Sequence, residues 1–248
     1  MEKSLNSNHL KIIAIVAMTI DHFTDLLYPG FPAEALPIAL HLIGRLTAPI
    51  MWFFIAEGYH YTRNIRKYIF RLGLLAVFSH FAYCFAFGIN IVPFKTGIFN
   101  QTSVIYPLFI AVVVMWLDDL KTDKLTSKLK IAIIFLLILS AFPADCSCIA
   151  VLAILYINKY RGNLSKQIIS MMMWVAIYAL VSFFFVNKAY GVVCLGNILV
   201  YPFLRMYNGE RGKAKWLKWF FYIYYPAHLV ILGILRVYMY GADVGILF

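Results

Sequence analysis

The chain is built from apolar runs separated by little more than turns. Reading hydrophobic stretches against charged, Pro and Gly punctuation gives nine of them, near residues 10–28, 36–61, 67–88, 101–117, 129–142, 147–158, 167–187, 190–205 and 216–240. A helix needs roughly 20 predominantly apolar residues to cross the hydrocarbon of a bilayer, and several runs reach that length. Hydrophobic residues make up 63% of the 248 and charged ones 13%, which lies outside the range of a soluble domain. The expected fold is all-α, a polytopic transmembrane helical bundle of about nine spans, in one domain over 1–248 with no repeat or linker. The runs near 129–142 and 147–158 are short, so they either cross as tilted helices or form a hairpin that stops part-way. The first run ends in acidic residues and lacks a small-residue cleavage site, which reads as a retained anchor.

A net charge of +11 could suggest nucleic acid, but Lys and Arg collect in alternate loops. If every run crosses, the basic loops around 3–11, 63–71, 121–130, 159–166 and 205–218 (including Lys215) share one side. Only Lys95 and Lys188 fall on the other. Such an excess marks the cytoplasmic side, so the N-terminus is expected in the cytoplasm, the C-terminus outside, and the chain in a bacterial plasma membrane. Membrane lipids are then the expected surroundings and nucleic acid is not a partner. Trp216, Trp219 and neighbouring tyrosines fit an interfacial belt. Cys84, Cys146, Cys148 and Cys194 have no metal or redox spacing, and no metal site is expected.

A charge near the bilayer centre costs about 2.5–3.5 kcal/mol on insertion scales, so it is normally paired or faces water inside the bundle. Yet "LKIIAIVAMTIDHF", residues 10–23, contains Asp21 and His22, with Asp25 just beyond. The second run carries His41 and Arg45, with Glu57 and His60 at its inner end. The last carries His228 just after Pro226, and a proline there frees backbone carbonyls, as happens where a helix lines a cavity. Asp21 and Asp25 stand at i,i+4, and His22 and Asp25 at i,i+3, so the three share one broad helix face. Because the first two runs are antiparallel, Asp21 and His22 lie at about the depth of Arg45. A His beside a carboxylate suits a general base or nucleophile activator, and an Arg can stabilise an oxyanion. The alternative is a structural Asp–Arg pair that locks two helices. His41 is expected to be solvated near the outer boundary, His60 to be interfacial and Arg236 to snorkel.

Four stretches follow one another along the chain: "LKIIAIVAMTIDH", "IGRLTAPIMWFFIAEGYHYTRNIRKYIFRL", "FPAD" and "YNGERGKAKWLKWFFYIYYPAHLVIL". Through them, and through Gly44-Arg45, Glu57-Gly58-Tyr59, Thr62-Arg63, the Asn208–Gly212 loop and Tyr225-Pro226-Ala227-His228, the chain resembles the TraX family of integral-membrane proteins over essentially its whole length. The resemblance implies an acetyltransferase, since that family is associated with N-terminal acetylation of a pilin subunit. Lys11 and His22 also have a spacing similar to that in transmembrane acyltransferases acting on sugars and cell-envelope polymers. The chain departs from the family in having Cys146-Ser147 after Ala144-Asp145, and in "FNQTSVIYPL", which matches at Asn100 and Thr102.

The expected scheme has acetyl-CoA docking at the basic mouth, its phosphates met by Arg63, Arg66, Lys67, Arg71, Asn208 and Arg211. Its arm would pass Glu57 and His228 to reach His22. His22, oriented by Asp21 or Asp25, would act as base or briefly carry the acetyl group, and Arg45 would stabilise the tetrahedral intermediate. The acceptor would be an amine or hydroxyl of a pilin-like peptide or an envelope molecule. Two other readings stand beside it: a secondary transporter with the buried charges as its pathway, and a non-catalytic membrane protein of appendage assembly, which would need no intramembrane His–Asp pair.

Overall fold

The structure is a computed structural model describing residues 3–95, 97–121, 124–214 and 216–247. Among them the chain is helical, with two isolated bridges, Leu5 to Tyr207 and Thr102 to Ala144, as its only extended pairings. The helices are α1 (Ser7–Leu27), α2 (Ala35–Gly44), α3 (Thr47–Tyr61), α4 (Ile65–Phe87), α5 (Ile105–Asp118), α6 (Lys124–Ser140), α7 (Ser147–Lys159), α8 (Leu164–Phe185), α9 (Lys188–Cys194), α10 (Val200–Arg205) and α11 (Leu217–Tyr240). A 3₁₀ turn, Leu195–Leu199, joins α9 to α10. Taken together, these elements follow the apolar runs. Lys215, counted with the basic loops above, lies outside the described residues.

Among the described residues, four helical stretches are long and apolar enough to cross a membrane: Ala35–Tyr61, Ile65–Phe87, Leu164–Phe185 and Trp219–Tyr240. Helix α1 is comparable at 21 residues but carries Lys11, Asp21 and Asp25. Helices α5 and α7, of 14 and 13 residues, are shorter. At about 1.5 Å per residue each reaches about 20 Å, less than a hydrocarbon core of about 30 Å.

Two runs expected to be continuous are interrupted, and proline accounts for both. Pro49 has no N–H to give the Arg45 carbonyl and its ring crowds that group, so the second run turns at Arg45-Leu46 and restarts as α3. Pro202 stands in the same relation to Ile198, inside the 3₁₀ turn. Four helices begin on asparagine caps: the side chains of Asn6, Asn64, Asn163 and Asn187 accept backbone N–H groups of the first turn.

Hydrogen bonds sort the loops into two ends. At the basic end, Leu5 N–H donates to Met206 O, Asn208 N–H to Leu5 O and Ser7 N–H to Glu210 O, at 2.8–3.0 Å, tying the N-terminal segment to the loop after α10. There too Arg161 pairs with Glu57 at 3.2 Å. At the opposite end, Asp145 N–H donates to Thr102 O at 2.8 Å and Gly30 N–H to Ile246 O at 3.2 Å. The C-terminal tail, 241–247, folds back over this end. Arg236 holds it: buried at 3% exposure, its guanidinium donates to the carbonyls of Gly241, Ala242 and Val244 and also to that of Phe85 at the end of α4. The snorkelling expected of Arg236 is therefore replaced by an internal clamp. The helix C-terminus of α4 supplies an unpaired carbonyl, which a buried guanidinium satisfies better than lipid can.

Candidate functional site: a buried polar chamber beneath a basic cavity

Asp21 and His22 are consecutive on α1, so their side chains leave the helix about 100° apart and meet different neighbours. Asp21 turns toward the second pass. It accepts a hydrogen bond from His41 Nδ1 at 2.8 Å and pairs with Arg45. His41 is fully buried under Phe31, their ring centroids 4.1 Å apart, so the solvated position expected for it is wrong. Its Nε2 faces Asp25 at 3.9 Å without a hydrogen bond. Arg45 also lies over the Tyr190 ring at 5.3 Å. Gly44 makes this packing possible: a Cβ there would overlap the Asp21 carboxylate. The meeting of Asp21 with Arg45 follows the expected depth match.

His22 turns toward the last pass. Its Nδ1 lies 2.9 Å from His228 Nε2, and the two rings are parallel to 1°. Neither Asp21 nor Asp25 orients it, contrary to the expectation. The tautomers follow from the partners. His228 Nδ1 is 2.9 Å from the Tyr224 carbonyl, which can only accept, so the proton sits on Nδ1. In the neutral pair, His228 Nε2 then accepts, His22 Nδ1 donates, and His22 Nε2 keeps its lone pair. That nitrogen has no hydrogen-bond partner among the described residues, and His22 is one of the residues lining a chamber of about 90 Å³. Such a lone pair can take a proton.

The chamber is also lined by Asp21, Asp25, Arg45, Asn197, Asp145 and Cys146. Asp145 is a site residue that sequence reasoning missed, although it closes the "FPAD" stretch. Burial pushes its carboxyl up from the usual range. The backbone at Cys146 and Ser147 is left-handed (φ 61° and 54°), which ends the α6–α7 turn and brings Asp145 to the chamber wall. Three carboxyl groups thus share one guanidinium. On the far side Leu247 of the tail contributes to the wall.

Toward the basic end lies a larger cavity of about 700 Å³. Its mouth carries Lys11, Arg63, Lys67, Arg71 and Arg211 with Glu57, and its depth is apolar, with Phe54, Ile55, Leu72, Leu75 and Leu108. Arg71 Nε is buried without a hydrogen-bond partner. Gly209, at φ 82°, brings backbone to the rim. Burial and then the Glu57 charge push the Tyr207 phenol up to about 12, so it stays a neutral hydrogen-bonding group. Arg66 and Asn208 do not line this cavity; Arg66 is exposed, and Asn208 Oδ1 accepts from Glu210 N–H at 2.8 Å. Glu57 sits at the mouth and His228 behind His22, so the two do not mark one path inward. Among the described residues the cavity and the chamber are separate spaces, and Met51 lines both. His60, as expected, is exposed at this end, 2.6 Å from Asn158 Oδ1. No cluster of three or more His, Cys, Asp or Glu among the described residues is arranged to hold a metal ion.

The family model described as TraX protein matches residues 6–236, nearly the whole of this architecture. The chain belongs to the TraX family. It is also similar, at 29% identity over 231 residues, to a protein of Dichelobacter nodosus described as "Probable fimbrial assembly protein FimC, serogroup H1", the match covering 90% of this chain and 92% of that one. No solved structure gives a significant match. The matched TraX region takes in α1 and the second pass, which carry Asp21, His22, Asp25, His41 and Arg45, and all of α11 as far as Arg236.

Proposed function

We propose that this TraX-family chain is a membrane acetyltransferase that takes its acyl group from cytoplasmic acetyl-CoA and passes it to an amine. The observation that carries the reading is that His22, its Nδ1 engaged by His228 so that Nε2 keeps a lone pair, lines a chamber with the Arg45 guanidinium. The amine attacks the thioester carbonyl carbon while His22 Nε2 takes its proton. A C–N bond forms, Arg45 stabilises the tetrahedral oxyanion, the C–S bond breaks, and the leaving thiolate recovers the proton from the imidazolium. His228 positions His22 and accepts from its Nδ1–H throughout. An amine is favoured over a hydroxyl because an arriving ammonium can pair with a carboxylate of Asp25 or Asp145 in the chamber wall and leave one proton on it, so that the neutral amine is what attacks.

The basic cavity suits the donor. Its volume of about 700 Å³ falls within the roughly 300–1,000 Å³ of small-molecule sites. Arg63, Lys67, Arg71 and Arg211 at the mouth would meet phosphates, with Arg66 and Asn208 outside the lining, and the apolar depth would take the pantetheine arm. In this reading the basic end is cytoplasmic, the chain is one domain crossing a bacterial plasma membrane nine times with tilted short passes, and the acceptor approaches from the other side. The acceptor would be a pilin N-terminus or an amine of the cell envelope.

The name of the Dichelobacter relative favours a second reading, a part in fimbrial assembly without catalysis. One experiment separates them. Purified protein in nanodiscs is given radiolabelled acetyl-CoA and amine-bearing peptides, and appendage assembly is scored in cells. Transfer by the wild type that His22→Ala removes, by about 10²–10⁴-fold, supports the enzyme. Full appendage assembly by His22→Ala, with no transfer by either protein, overturns it.

A further inference from the structure

One face of α3 runs the whole way from chamber to mouth. Thr47 and Ala48 line the chamber, Phe54, Ile55 and Gly58 line the cavity, and Met51, one turn from each set, lines both. Helix α5 repeats the arrangement, with Val104 on the chamber side and Ile105 and Leu108 on the cavity side. Among the described residues Met51 is the one lining residue the two spaces share, and it is half-buried rather than locked in the core. Its neighbours are buried: Trp52 is 1% exposed, Ile105 2% and Leu108 0%. Met51 is an unbranched thioether with three rotatable bonds set among buried groups, a side chain suited to swing without repacking its surroundings.

We propose that Met51 is the gate between cavity and chamber and that its side chain sets the length of acyl group admitted. Rotated away, it joins the two spaces along the α3 face. In place, it leaves beyond it only about 90 Å³ against about 700 Å³ outside, so the reactive end of a thioester must be small to be received past it. The gate stands on the geometry alone, and the acyl-length statement rests on the acyltransfer reading above.

Cys146 reports on the gate without any activity. It lines the chamber and is 8% exposed, and burial, then the Asp145 charge, push its thiol up, so the closed chamber protects it twice. The full-length protein in sealed vesicles is treated, from the basic-loop side, with a membrane-impermeant cationic methanethiosulfonate, and modification of Cys146 is read by peptide mass spectrometry, with Cys146→Ser as control. Met51→Ala is expected to speed labelling by about tenfold or more, a barrier lower by about 1.4 kcal/mol, and Met51→Trp to slow it below the wild type. In parallel, Met51→Ala should extend transfer from acetyl to butyryl and hexanoyl thioesters, and Met51→Trp should lose even acetyl while keeping the wild-type melting temperature. If Cys146 is labelled equally fast in all three folded proteins, the gate is overturned. If labelling follows residue 51 but no thioester is ever consumed, the gate stands and the acyltransfer reading falls. If acetyl transfer proceeds and neither labelling nor chain length responds, the gate falls alone.

Discussion

The basic cavity and the chamber share a wall but are built on opposite plans. At the cavity mouth, Arg63 and Arg211 stand on solvated loops, where each contributes a little. In the chamber, Asp21 is shared between His41 and Arg45, His22 is registered by His228, and Gly44 exists to leave room for a carboxylate. A site that holds a flexible polyanion tolerates loose cations, whereas one that must keep a lone pair free in a low-dielectric interior needs its charged groups held by specific partners. The two regions should therefore respond to substitution on different scales.

The largest effect is expected at the ion pair. Arg45→Ala leaves Asp21 buried beside one histidine and should destabilise the fold by about 3–5 kcal/mol, read by denaturant unfolding in detergent. The double replacement Arg45→Leu with Asp21→Leu should recover most of that loss; a double variant as unstable as Arg45→Ala would mean that the pair is not what the chamber leans on. Gly44→Ala comes next, at about 1–3 kcal/mol, because the added methyl must displace the Asp21 carboxylate. A wild-type melting temperature in that variant would remove the steric account of Gly44-Arg45. His228→Ala should slow transfer by about tenfold, about 1.4 kcal/mol in the barrier, with little change in donor KM, since it acts through the orientation of His22.

At the mouth the scale drops. Arg63→Ala and Arg211→Ala should each raise donor KM by a few-fold, within about 1 kcal/mol, and leave kcat in place. Loss of kcat from either would contradict the division drawn above. Smallest of all, Arg161→Ala should shift stability by less than about 1 kcal/mol, since its pair with Glu57 is partly solvated.

Sequence alone carried the helices far. Run length and punctuation placed them because crossing hydrocarbon imposes a length and a polarity on each segment. The Asp21–Arg45 contact was legible too, since antiparallel neighbours put equal depths side by side. The partner of His22 was not: which passes lie beside α1 is decided by packing around the bundle, and no local spacing records that α11 delivers His228 there. Asp145 stood in a quoted stretch, but only the left-handed backbone after it brings the carboxyl to the chamber. His41 and Arg236 were misread for the same reason. Each sits near the end of its run, where solvent is the simplest partner, and each instead meets a group brought from a distant part of the chain.

The Arg236 clamp grips peptide oxygens rather than side chains, so it registers the tail by its skeleton. Residues 241–245 can therefore drift in identity while their course is preserved. A single insertion or deletion among them, however chemically mild, would slide Ile246 from beneath Gly30 and draw Leu247 out of the chamber wall.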